Sequence, residues 1–226
     1  MKKIFFLIVL LFNVLAVSAQ KDVTKFLGIP VDGTKAAMRQ KLIAKGFTYD
    51  QKNDLLKGEF NGEDVRISIV TNNNKVYRIV IYDNINRDET NIKIRFNKLV
   101  RQFMNNNKYI SAYDFSIPEN EKIGYEMAVN KKTYEALFLQ TPIMQKEDTL
   151  ALRESMRHEM LKKYTEEQLS NPNDEILQEW DKVAQNITLE YFSKKAVWFR
   201  IEGNIGDYFI VMYYDNEYNK ANGEDL

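Results

Sequence analysis

Between residues 55 and 82 apolar and polar side chains alternate, and this pattern constrains the fold more than any other feature of the chain. A period of two places every second side chain on the same face of a strand. In the segment 63–71, Val65, Ile67 and Ile69 share one face while Arg66 and Ser68 share the other. In 75–82, Tyr77, Ile79 and Ile81 oppose Val76, Arg78 and Val80. Asn61-Gly62 stands before the first segment and suits the two positive-φ positions of a tight hairpin turn. Asn72-Asn73-Asn74 separates the two segments, and Asn tolerates the left-handed backbone of a turn. With 55–60 as a preceding strand, the pattern predicts a three-stranded antiparallel meander. A helix over 34–45 should precede it: Thr34 is an N-cap residue, Met38, Leu42 and Ile43 recur at helical spacing, and Gly46 is a stop.

The same order of elements then recurs. Ile92, Phe96, Leu99, Val100 and Phe103 form a helical stripe, with Asp88 and Glu89 at its start and Lys98 and Arg101 near its end, as the helix dipole favours. Strands are predicted at 109–115, 122–130 and 133–140. A longer helical region follows, with Leu152, Met156, Met160 and Tyr164 spaced by four, a break at 170–173 containing Pro172, and a second stripe of Ile176, Leu177, Trp180, Val183 and Ala184. Strands at 187–192, 196–203 and 206–214 close the chain, with Gly203-Asn204 as the last turn and a polar tail from 219. The expected class is α+β, with antiparallel meander sheets packed by amphipathic helices, and the order suggests repeated units of one helix and three strands. No Gly/Ser/Pro-rich linker divides residues 20–226. They read as one compact domain, or as two abutting lobes at 20–141 and 149–218.

The N-terminus has the layout of a secretory signal peptide. Met1-Lys2-Lys3 is basic, Ile4 to Val17 is apolar apart from Asn13, and Val17-Ser18-Ala19 sets small residues before Gln20. The apolar run is shorter than the roughly 20 residues of a membrane span. Cleavage near Ala19 removes Lys2 and Lys3 and takes the formal charge from zero to −2. The chain has no cysteine, so an exported form must rest on its core, which the 44% of apolar residues can supply. The expected location is the periplasm or the exterior, with no integral membrane segment after cleavage.

The same composition excludes much chemistry. Without Cys there is no thiol nucleophile, thiolate metal site or lipid-bearing N-terminal Cys, and with His158 as the one imidazole no multi-histidine site either. No Gly-rich phosphate loop and no Gly-x-Ser-x-Gly elbow occurs. Asp83 to Asp88 places oxygen ligands at alternate positions but lacks the glycine and glutamate of a calcium loop. No cofactor, metal or catalytic residue is therefore assigned. His158 lies off the Met156/Met160/Tyr164 stripe and reads as a solvated helix residue. The balanced charge of 32 basic against 32 acidic residues gives no pull toward nucleic acid.

The C-terminal quarter is crowded with aromatics. On strand 196–203, Trp198, Arg200 and Glu202 share a face opposite Val197, Phe199 and Ile201; on 206–214, Tyr208, Ile210, Met212 and Tyr214 oppose Phe209, Val211 and Tyr213. Trp198, Tyr208, Tyr213 and Arg200 are the candidate ligand- or partner-binding residues, unless helices cover them as core. Asp148-Thr149-Leu150 matches a bacterial O-glycosylation triplet, making Thr149 a candidate acceptor in a loop before a helix; Asn186-Ile187-Thr188 matches an N-glycosylation triplet that a bacterial chain does not use by default.

Phe26-Leu27-Gly28-Ile29-Pro30-Val31-Asp32-Gly33-Thr34, with the helix ending Lys45-Gly46-Phe47, resembles the opening of uncharacterised exported proteins of gut-type Gram-negative bacteria. Over residues 26–82 the layout is also similar to the helix-plus-antiparallel-sheet modules of envelope assembly lipoproteins and β-lactamase inhibitory proteins, though no lipidation Cys is present. The resemblance is architectural and implies no site residues. The functional expectation is an exported, non-enzymatic binding or interaction protein of the bacterial envelope, whose partner is another envelope or extracellular protein. The alternative is a carbohydrate-binding or carbohydrate-processing protein that uses the C-terminal aromatics.

Overall fold

The computed structural model of the chain describes residues 22–141 and 146–221. The expected signal segment and its cleavage site lie outside the described residues, as does the end of the polar tail. Two short strands, β1 (Lys25–Phe26) and β2 (Ile29–Pro30), form a hairpin of their own. Helix α1 (Lys35–Ala44) follows, capped by Thr34, whose hydroxyl accepts from the Ala37 N–H. Then come β3 (Thr48–Asp50), β4 (Leu55–Phe60), β5 (Glu63–Asn72) and β6 (Lys75–Asp83). Asn61 and Gly62 both have positive φ, +56° and +77°, as a tight β4–β5 turn requires.

Helix α2 (Glu89–Met104) is capped by the Asp88 carboxylate and buries Ile92, Phe96, Leu99, Val100 and Phe103 on one side. It is followed by β7 (Tyr109–Ile110), the short helix α3 (Ile123–Ala128) and β8 (Glu135–Gln140). Helices α4 (Lys146–Leu161), α5 (Glu166–Ser170) and α6 (Asp174–Ser193) form an excursion before β9 (Ala196–Asn204) and β10 (Asp207–Asp215), and a 3-10 turn covers Glu217–Asn219.

The protein is α+β, and its main sheet is antiparallel throughout with strand order β3-β4-β5-β6-β10-β9-β8-β7. That order replaces the expected units of one helix and three strands. The chain instead runs twice through one helix and four strands, α1 with β3–β6 and α2 with β7–β10. The last strands of the two runs, β6 and β10, pair at the centre in a register centred on Val80 opposite Tyr213. The α4–α6 excursion joins β8 to β9, the place that the Asn61-Gly62 turn occupies between β4 and β5.

Three expected strands differ. Residues 109–115 pair only at Tyr109 and Ile110, because Ser111 and Asp114 turn the chain: the Ser111 Oγ and the Asp114 carboxylate accept the N–H groups of Tyr113 and Ser116. Residues 122–130 alternate like a strand but hold α3, which puts Gly124 against the Tyr208 hydroxyl and the Glu89 carboxylate; a Cβ on Gly124 would meet them at 3.0 and 3.1 Å. Residues 187–192 continue α6, since Val183, Ile187 and Tyr191 extend its apolar stripe at a spacing of four. The last hairpin turns on Ile205 and Gly206, beyond the expected Gly203-Asn204, with Asn204 opposite Asp207.

One face of the sheet carries the core. Val65, Ile67, Ile79, Ile81, Phe199, Ile201, Ile210 and Met212 pack there against Met38 and Leu42 of α1, the stripe of α2 and Ile123 of α3. A β-bulge adjusts the parity expected for β6. The register shifts between Val70 and Thr71, leaving Tyr77 as the extra residue, so Val76 turns into the core although Arg78 and Val80 point the other way. Among the described residues, no side chain of α4–α6 joins this core, and that excursion buries only Met160 and Ile176 of its own. No helix among the described residues is long and apolar enough to cross a membrane.

Candidate functional site

The opposite face of the sheet is the candidate site. Strand register sets its side chains in rows. One row runs Leu137, Trp198, Tyr213, Val80, Ser68 across β8, β9, β10, β6 and β5. The next runs Glu135, Arg200, Val211, Tyr82, Arg66. A third sets Asp215 beside Arg78 and Val70. Trp198, Tyr213, Arg200, Tyr82 and Arg78 are half-buried, and Leu137 is 46% exposed. The half-buried Trp198, Tyr213, Tyr82 and arginines reach solvent, while Val80 and Val211 between them are buried at 5% and 3%.

Trp198 and Tyr213 stack face to face, with ring centroids 3.9 Å apart and planes inclined by 14°. A salt bridge fixes the pair in place. Asp215, nearly buried, takes two hydrogen bonds from Arg78, Nε at 2.6 Å and Nη2 at 2.7 Å, and a third from the Trp198 indole N–H at 3.0 Å. Those bonds hold the Arg78 guanidinium above its ordinary value, and the group also lies 5.0 Å from the Tyr213 ring centroid. On the other side Arg200 pairs with Glu202, while its Nε is buried without a hydrogen-bond partner. Burial pushes the Tyr213 hydroxyl up, against the pull of Arg200. Beside the stack, Arg78, Leu137, Ala196, Asp215 and Lys220 line a shallow depression of about 330 Å³.

Three of the sequence candidates, Trp198, Arg200 and Tyr213, come together on this surface. Tyr208 does not: it is 1% exposed and belongs to the core face, as its parity with Ile210 and Met212 demands. Its hydroxyl is buried with no hydrogen-bond partner, and burial raises its pKa, with Glu89 adding to the effect. Tyr208→Phe is therefore expected to leave stability unchanged or raise it by about 1 kcal/mol, since it removes an unpaired buried polar group. A drop of the urea midpoint beyond that amount would show the hydroxyl to be satisfied.

Sequence reasoning missed Arg78 and Asp215 as site residues. Arg78 carried the parity signal but had no known neighbour, and Asp215 stands one residue past the expected end of its strand. The remaining candidates lie elsewhere. Thr149 is half-buried inside α4, not in the loop expected to precede a helix, because α4 already begins at Lys146. His158 is exposed beside a groove between α4 and α6 that Glu154, Glu159 and Glu190 also line. Asp83 is buried and engaged by the guanidinium groups of Arg87 and Arg95.

The chain matches no family model, no curated protein and no solved structure with which it was compared.

Proposed function

We propose that this is an exported, non-enzymatic binding protein of the bacterial envelope, and that another protein docks on the open sheet face around Trp198 and Tyr213. The observation that carries the reading is the stacked pair itself, held by the Arg78–Asp215 bridge on a face that mixes aromatic, aliphatic and charged side chains. Trp, Tyr and Arg are the residues that dominate protein interfaces, and they do so when packed centrally and held rigid before binding. The export half of the reading rests on the basic, apolar and small-residue segments of 1–19.

Geometry favours a protein over a glycan here. A sugar ring packs flat on an exposed aromatic face, whereas Trp198 and Tyr213 each spend one face on the other. The indole N–H is also committed to Asp215. What the pair offers is a ridge flanked by two arginines, which suits the side chains of a protein surface.

A photo-cross-linking residue placed at Leu137 tests this in cells. A discrete protein adduct is expected there and not from the same residue at Leu189 on α6. Trp198→Ala should reduce the adduct about 30-fold, the weakening that corresponds to loss of a hot-spot residue worth about 2 kcal/mol. An adduct indifferent to Trp198→Ala, or equal labelling at both positions, would sink the proposal. Glycan-array binding lost in Trp198→Ala would decide for the carbohydrate alternative.

A further inference from the structure

On the helix-bearing side of the sheet, away from the open face, a cavity of about 800 Å³ opens where several elements end together. The β1–β2 hairpin, the β4–β5 turn, the C-terminal turn of α2, β7 and the end of β8 all contribute to its wall. Its apolar lining comes from Phe60, Phe103, Tyr109 and Tyr214. Phe103 and Tyr109 meet edge to face with centroids 4.6 Å apart. Tyr214 is buried beside Tyr109, and burial pushes its hydroxyl well above the ordinary range, so it stays neutral.

The wall is fixed in place. Gln140, 8% exposed, accepts from the Lys25 N–H at 2.8 Å and donates to the Lys25 carbonyl at 2.7 Å and the Tyr109 hydroxyl at 3.2 Å. The β1–β2 hairpin is thereby tied to β7 and β8. Charge around the cavity is unbalanced. Lys25, Lys108 and Lys195 line it against Glu59 alone. Asp22 answers Lys195 at 2.7 Å and lies 3.7 Å from Lys25, which still leaves one more cation than anion.

We propose that this cavity is a second binding site, independent of the open face, for a small amphipathic organic anion. An apolar body would enter the aromatic lining and displace water from it, and one carboxylate or sulfonate would stay at the lysine rim. The volume lies in the range of pockets that hold small ligands, and a mostly apolar lining with a few fixed polar groups is their usual makeup. The excess cation gives the choice of an anionic group its physical basis.

The test is a titration of the full-length protein with 8-anilinonaphthalene-1-sulfonate, which has an apolar body and one anionic group. Saturable 1:1 fluorescence enhancement is expected. The double variant Lys25→Gln/Lys108→Gln, at one half-buried and one exposed position outside the core, should weaken it about tenfold. Gln102→Trp, which fills the mouth of the cavity, should abolish it, and the neutral analogue N-phenyl-1-naphthylamine should bind at least tenfold more weakly. Displacement by decanoate or by indole-3-acetate then tells an acyl from an aryl ligand. Absence of 1:1 saturation, or binding unchanged by the lysine and Gln102 variants, overturns the proposal. So does binding lost in Leu189→Ser, which would place the probe on the exposed apolar side of α6. Trp198→Ala should leave the titration unchanged, so failure here and failure of the open-face reading are separable.

Discussion

Asp83→Ala is expected to destabilise the protein by about 3–5 kcal/mol, the cost of removing one partner from a buried ion pair. Asp83 closes β6 at 3% exposure, and Arg95 reaches it from α2 at 4%. The guanidinium Nε and Nη2 donate to the two carboxylate oxygens at 3.1 and 3.2 Å. The Arg95 Nη1 is already buried without a partner, and loss of Asp83 would leave the guanidinium with only the longer contact to Glu63. Glu63, 3.8 Å from Arg95, is itself held by Arg87. Arg87 in turn exchanges backbone hydrogen bonds with Tyr208, at 2.7 and 2.9 Å. The network therefore pins the start of α2 to β5, β6 and β10 at once. For a chain of this size the melting temperature should fall by on the order of 10 °C. Asp83→Leu with Arg95→Met should recover most of the loss, because it removes the stranded charge and fills the space. A single variant that costs less than about 1 kcal/mol would mean that water reaches the Arg95 guanidinium.

How far the sequence foretold the structure depended on whether local period and tertiary demand agreed. In β5, β9 and β10 they did, so both the strands and the facing of Trp198, Arg200 and Tyr213 were legible from parity alone. Tyr208 shows the same rule working against the functional guess: its parity with Ile210 and Met212 placed it in the core, and only its aromatic character suggested a surface role. In 122–130 the alternation of Ile123, Tyr125 and Met127 was an accident of composition. The short helix there brings Gly124 against the Tyr208 hydroxyl. In 187–192 the helical signal was present, since Ile187 and Tyr191 continue from Val183 by fours, but β-branched and aromatic residues carried the strand reading. Strand neighbours were legible only across the short turns that join β4 to β5, β5 to β6 and β9 to β10; the central pairing of β6 with β10 was not. The Arg78–Asp215 bridge spans 137 positions and exists because β6 and β10 meet at the centre of the sheet. Local pattern fixes the facing of a residue, while the long-range pairing that assembles a site is set by how two helix-and-sheet halves join.

Trp198 and Phe199 are neighbours in sequence on opposite faces, and they should behave as opposites. Phe199→Ala is expected to cost about 3–5 kcal/mol, the transfer term plus the cavity left behind. The ring is 0% exposed and stands among Phe96, Phe103 and Phe138 at centroid distances of 5.1, 5.7 and 6.0 Å. It joins α2 to β8 and β9, so no neighbour can collapse into the gap without moving a helix. Phe199→Leu keeps most of the volume and should cost about 1.5 kcal/mol or less. Trp198→Ala removes one stacking contact, worth about 0.5–1.5 kcal/mol beyond the area the half-buried indole covers, and one hydrogen bond that Arg78 already duplicates at Asp215. Its loss should be smaller than that of Phe199→Ala in the same urea titration, with the protein still folded and the Leu137 cross-link gone. Equal destabilisation by the two variants would mark Trp198 as a structural residue, and the open face would then lose its claim to be a docking surface.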